Sequence, residues 1–180
     1  AIGMHAHSTG LYSVALGGGE TAGNTIASGT HSVVVGYGAR ASTDSAMAFG
    51  TTSRAEGVSS VAIGGGRGQF GTGARATADD AIAIGAASQA SGQNSVAIGG
   101  ADTTANGAKA SEARATALGF GSTASAADAS AIGDATAGAA DAIAMGRTAQ
   151  ATGVMSIAIG YDAIATGSIA MGASSRAGNS

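Results

Sequence analysis

The residues able to do chemistry are few. His5 and His7 flank Ala6, so on an extended segment both rings fall on one side and could share a metal ion. No Cys and no paired carboxylate stands near them in sequence, so they read as exposed edge residues, and no metal or other cofactor is expected. Gly64-Gly65-Gly66-Arg67-Gly68 is rich enough in glycine to suggest a phosphate cradle. It lacks the Lys-Ser/Thr pair and no helix follows, so the anion-binding geometry is missing. Serines are plentiful, but none has an activating base arranged with it. Calcium-binding repeats of the Gly-Gly-x-Gly-x-Asp type are absent. Catalysis is therefore not expected, and attention moves to the elements that carry the remaining polar groups.

Composition narrows the classes. The 180 residues include 32 Gly, no Pro and no Cys, and aromatics make up 3%. Glycine without a Gly-X-Y period and without Pro excludes collagen. Charged residues are 11%, far below the usual share of about 25%, so charge-driven disorder is not expected. A net charge of −3 does not point to nucleic acid, and no run of 18 apolar residues is present to span a membrane.

One five-residue signal recurs: a small residue, an apolar one, Ala, a large apolar one, then Gly. It reads Ser-Val-Ala-Ile-Gly64, Ser-Val-Ala-Ile-Gly99, Ser-Ile-Ala-Ile-Gly160 and Ser-Ile-Ala-Met-Gly172, with weaker copies ending at Gly3, Gly17, Gly36, Gly50, Gly85, Gly119, Gly133 and Gly146. The gaps between these anchor glycines are 14, 19, 14, 14, 21, 14, 20, 14, 13, 14 and 12, so the base period is 14. Alternation with β-branched residues before each glycine predicts a strand. A second strand follows, with small residues three and five after the anchor and a longer one between, as in Ala39-Arg40-Ala41 and Ala149-Gln150-Ala151. A turn then comes, often with glycine seven after the anchor, as at Gly10, Gly57, Gly92, Gly153 and Gly167; there it is expected to supply a positive φ.

Such a unit cannot bury a core alone, but stacked coils can. The fold expected is all-β: a parallel solenoid of about twelve 14-residue two-strand coils. The large residues one and three before each anchor are expected to point into the roll. The alanines two before it, including Ala48, Ala62, Ala83, Ala97, Ala131 and Ala158, then form a flat outer stripe. A charge-poor stripe needs a cover, and three copies about a threefold axis supply one, which makes these alanines trimer-interface candidates. Alternation is equally compatible with the reverse, Val and Ile at the interface. The long repeats after Gly17, Gly64 and Gly99 regain register at Thr25-Ile26-Ala27, Ala74-Arg75-Ala76 and Ala108-Lys109-Ala110 once five, seven and six residues are set aside. All three insertions should leave from one edge, and the short repeats before Gly146 and Gly172 should lose residues from the other turn.

Charge follows this frame. Five of the eight basic residues occupy the outward position of the second strand: Arg40, Arg54, Arg75, Lys109 and Arg176. Seven of the eleven acids lie in the turn after it. The bland account is a solvated face with charges compensating one another; the functional one is a docking stripe for an extended charged partner. Arg40, Arg54, Arg75 and Lys109 are the ligand-binding candidates, with Phe70 in the longest insertion as a further contact.

Repeated Ser-Val-Ala-Ile-Gly with Ala-x-Ala between copies, at this period and over essentially the whole chain, resembles the YadA-like head of trimeric autotransporter adhesins. The resemblance implies a left-handed parallel β-roll, a homotrimer, and display on the outer membrane of Gram-negative bacteria. It also implies binding to a host matrix protein or cell-surface glycan. Residues 1–180 then form one head domain of a longer surface protein whose stalk and membrane anchor lie outside it. Three other solenoid classes compete with this reading. An acyltransferase β-helix needs hexapeptide coils, and 14 does not divide by six. An ice-binding solenoid needs a regular Thr ladder, which is absent. A purely structural spacer of a surface fibre differs from an adhesin only in whether its surface binds anything.

Overall fold

The computed structural model describes residues 1–19, 24–66, 71–103 and 106–178. Two parallel sheets make up the chain, with no helix among the described residues. One sheet has 12 strands and runs from Ala6–Ser8 to Arg176–Ala177; the other has 11 and runs from Val14–Leu16 to Ile169–Met171. Strands alternate between the sheets along the chain, and each pairs with its counterpart in the next coil. The result is a parallel β-roll of the coil repeat read from the sequence.

The anchor glycines explain the repeat. At Gly50 the backbone has φ +119°, and a Cβ there would lie 2.5 Å from the Gly65 nitrogen of the next coil. No side chain fits that approach, which lets each coil turn sharply and still stack. The glycine seven after the anchor has a different reason from the one expected. Gly57 has no positive φ; a Cβ on it would meet the Ala78 backbone at 2.0 Å. The left-handed residue lies two positions later and is never glycine: Ser45, Ser59, Asp80, Asn94, Arg114, Asp128 and Asp141 all have φ between 56° and 59°. Each such residue strains the backbone by about 1–2 kcal/mol. In return its N–H joins the ladder through the turn, as in Ser59 N–H to the Asp44 carbonyl at 2.9 Å.

The core is made almost entirely of alanine. Ala, Ser, Thr25 and Val34 fill it, and Val34 is the largest fully buried side chain. This overturns the expected facing of the 11-stranded sheet. Ala48, Ala62, Ala83, Ala97, Ala131 and Ala158 are all 0% exposed within the single chain and point into the roll. They are not an outer stripe and cannot be the interface of a trimer. The large apolar residues on either side of them point outward. Nearly every inward position carries a small side chain, Val34 being the largest, and the bulky apolar residues are left to the outer face.

Register recovers after the insertions as expected: Ala6↔Thr25, Arg54↔Arg75 and Gln89↔Lys109 are in-register pairs. All three insertions leave after the same bond of the glycine turn. Gly19, Gly66 and Ala101 donate their N–H groups to the Met4, Thr51 and Ala86 carbonyls, each one residue past the preceding anchor. The chain rejoins the same ladder where the Thr72 and Asn106 carbonyls accept from Ala87 and Gly121. The short repeats do not share one design. Before Gly172 the second turn is trimmed, but in the coil from Gly133 to Gly146 the residue is lost from the glycine turn, so Thr136–Ala137 comes one position early.

Candidate functional site

A roll this thin offers only its outer faces and edges. The outer face of the 12-stranded sheet is polar. Pairing puts His7, Ile26, Arg40, Arg54, Arg75, Gln89 and Lys109 in one straight column, continued by Thr123, Thr136 and Gln150. From Arg40 to Gln150 each stands between two inward alanines or serines with at most 1% exposed surface, such as Ser53 and Ala55 around Arg54, so strand alternation drives it outward. Arg40 and Arg54 are exposed; Arg75 and Lys109, in the two coils that carry the longer insertions, are half-buried. Phe70 lies outside the described residues.

Some of the acids beside this column are engaged elsewhere. The Asp44 carboxylate accepts the Thr30 N–H at 3.0 Å, and the Asp79 carboxylate accepts the Val58 N–H at 2.8 Å. Both cap the second turn of the preceding coil. Glu56 reaches the column itself, 3.7 Å from Arg54. Asp162, in a glycine turn, lies 3.8 Å from Arg176 at the far end. The best-formed ion pair stands on the second-turn edge. Arg114 donates through Nε and Nη2 to Asp128 at 2.7 and 2.6 Å. Those hydrogen bonds hold the Asp128 carboxyl below its ordinary value and raise the Arg114 guanidinium.

The outer face of the 11-stranded sheet is apolar. One ladder reads Leu16, Val35, Phe49, Ile63, Ile84 and Ile98, and continues through Leu118, Ile132, Met145 and Ile159 to Met171. A second ladder beside it carries Val33, Met47, Val61, Ile82 and Val96, interrupted only by Thr116 and Ser130. Ile63 is 40% exposed and Ile169 59%. Of the two facings that alternation allows, the structure has the one with Val and Ile outside, not the one with them in the core. The signal that could have placed them is volume: the positions that are small in nearly every copy, Val34 being the exception, are the inner ones, and the position before the anchor is always large.

The other residues singled out do not converge. His5 Nδ1 lies 2.7 Å from the Gly19 carbonyl, His7 is exposed, and the His31 ring stacks on Tyr12 with centroids 5.2 Å apart. No group of three or more His, Cys, Asp or Glu able to hold a metal occurs among the described residues. Residue spacing gives no sign of the exposed aromatics on the glycine-turn edge: Phe120, and Tyr161 under the Arg147 guanidinium at 4.8 Å.

Comparison with known proteins adds one finding. A family model described as the YadA head domain repeat matches residues 1–19, 27–53, 44–66, 70–88, 76–101, 110–136 and 137–163. The chain belongs to the YadA head family. Heads of this family are parts of trimeric autotransporter adhesins displayed at the cell surface, an adhesive class and not a catalytic one. No curated protein matches the chain. No described helix is long and apolar enough to cross a membrane, which says nothing of a β-barrel.

Proposed function

We propose that this YadA head is the binding module of a homotrimeric adhesin. It is displayed on the outer membrane of a Gram-negative cell and attaches it to a host matrix protein or cell-surface glycan. The observation that carries the reading is the contrast between the two outer faces. One is a double ladder of Val, Ile, Leu and Met; the other is polar and carries a column of basic residues. Apolar ladders this long do not stay in water, and a core of alanine is weak support for a lone roll. Three rolls with their apolar faces turned to a common axis cover those ladders by closed symmetry and leave the polar faces outward. The interface then falls on residues such as Ile63, Ile98 and Ile159, not on the alanines between them. Sedimentation equilibrium should give a trimer, and a stable folded monomer at micromolar concentration would refute the assembly. Cells displaying the head should attach to immobilised matrix or to host cells. A trimer that attaches to nothing would instead be a spacer in a surface fibre.

A further inference from the structure

We infer that the column Arg40, Arg54, Arg75 and Lys109 is a docking stripe for a linear sulfated glycan; this rests on the adhesin reading above and specifies its ligand. In-register pairing makes Arg40, Arg54 and Arg75 direct neighbours, and Gln89 bridges Arg75 to Lys109. At about 4.8 Å per strand the four cations span about 19 Å in a straight line. Like charges opposite one another on neighbouring strands disfavour the sheet, so stability does not account for their alignment. Compensation is thin at the three arginines. Asp44 and Asp79 are committed to backbone N–H groups of the second turn, and Glu56 approaches Arg54 at the long distance of 3.7 Å. Arg75 adds a buried Nε that has no hydrogen-bond partner.

The form of the stripe selects among anionic partners. It lies on a sheet face, where the strands are already paired on both sides, so an acidic peptide cannot extend the sheet. The column itself offers a peptide no apolar pocket over this span. What it offers is three adjacent cations and a fourth one coil past Gln89, followed by neutral hydrogen-bonding groups at Thr123, Thr136 and Gln150. A polysaccharide with regularly spaced sulfates and free hydroxyls matches that order. The chain as a whole has net charge −3, so polyanion binding requires a local site and not bulk attraction. One stripe per subunit makes each contact weak and the oligomer's grip multivalent.

The test uses the 180-residue protein in its native assembly, with heparin, fully desulfated heparin and poly-glutamate as probes. Heparin should bind, desulfated heparin and poly-glutamate should bind at least tenfold more weakly, and heparin affinity should fall as salt rises. Changing Arg40, Arg54, Arg75 and Lys109 together to Gln should weaken heparin binding at least tenfold. The paired change Arg114→Gln and Arg147→Gln, off the stripe, should alter it less than twofold. Circular dichroism and sedimentation confirm that both variants fold and assemble. Heparin binding unchanged in the quadruple variant, or poly-glutamate binding as tightly as heparin, would overturn the proposal. Cell attachment is read in parallel. Attachment that survives in a quadruple variant unable to bind heparin removes the stripe while leaving the adhesin reading intact. A parent protein that binds heparin yet attaches to no cell or matrix removes the adhesin reading instead.

Discussion

The two sheets use the same alternation and share one alanine core, yet they send opposite residues outward. In the 12-stranded sheet the outward residue is Arg, Lys, Gln or Thr over most of its length; in the 11-stranded sheet it is Ile, Val, Leu or Met. Inside the roll they are interchangeable: Ala55 and Ala62 are equally buried. Strand pattern therefore decides which residues face in, and the chemistry of the outward set decides what each sheet is for. A polar face can stay wet. An apolar face of eleven strands asks for a partner.

That comparison breaks most sharply from the inside. Ala97 has no exposed surface and sits between Ala83 and Ala117 in the ladder. Ala97→Glu places an unpaired carboxylate in a core with no room for it and should cost more than about 4 kcal/mol. Loss of the β-sheet circular dichroism signal at room temperature is the expected readout. The neighbour Ile98 tests the apolar face without touching the core, being 38% exposed in the single chain. Ile98→Glu should forfeit about 1.5–3 kcal/mol of burial per subunit and drive dissociation at neutral pH. Acidification that neutralises the new carboxylate should restore assembly. An Ile98→Glu trimer as stable as the parent would place the interface elsewhere.

Most of this frame was legible in the sequence. The period, both strands, the basic column and the recovery of register at Thr25, Arg75 and Lys109 follow from residue spacing, because stacked coils repeat one geometry. The facing was not legible by the usual rule. Large apolar residues are expected inside, but here the inward positions hold alanine, serine, Thr25 and Val34, and Ile63 and Ile98 turn outward. The positive-φ positions were hidden for another reason. Ser59, Asp80 and Asn94 adopt a conformation that glycine would take more cheaply, and only their cross-coil hydrogen bonds explain it. The column could be placed by spacing, whereas the use of Asp44 and Asp79 as turn caps could not.

Insertions should matter less than either face. The one after Gly64 leaves the ladder after the Gly66 N–H and rejoins it at the Thr72 carbonyl. Removing residues 67–73 joins Gly66 to Ala74 and restores the 14-residue gap between Gly64 and Gly85. Both sheets keep their register, and shortening a loop changes closure entropy by only about 0.6 kcal/mol per halving. The thermal midpoint should move by no more than a few degrees. Loss of folding would show that this segment belongs to the core.

The smallest effect belongs to the edge between the faces. Arg114 and Asp128 form a two-pronged pair on the second turn, but both side chains are open to solvent, at 61% and 38%. The hydrogen bonds from Arg114 hold the Asp128 carboxyl below its ordinary value, so the folded state favours the charged form. The sign follows from linkage: the contribution is fully present above the unfolded-state pKa and is lost as pH falls through the lower folded-state value. Solvent and salt screen a pair so exposed. The expected result is a change visible in the residue and not in the fold. The NMR titration of Asp128 should have its midpoint below the ordinary Asp range, and Arg114→Gln should return it there. The thermal midpoint at neutral pH should stay essentially where it was. A clear drop in that midpoint on Arg114→Gln would show that the edge, and not the apolar face, holds neighbouring coils together.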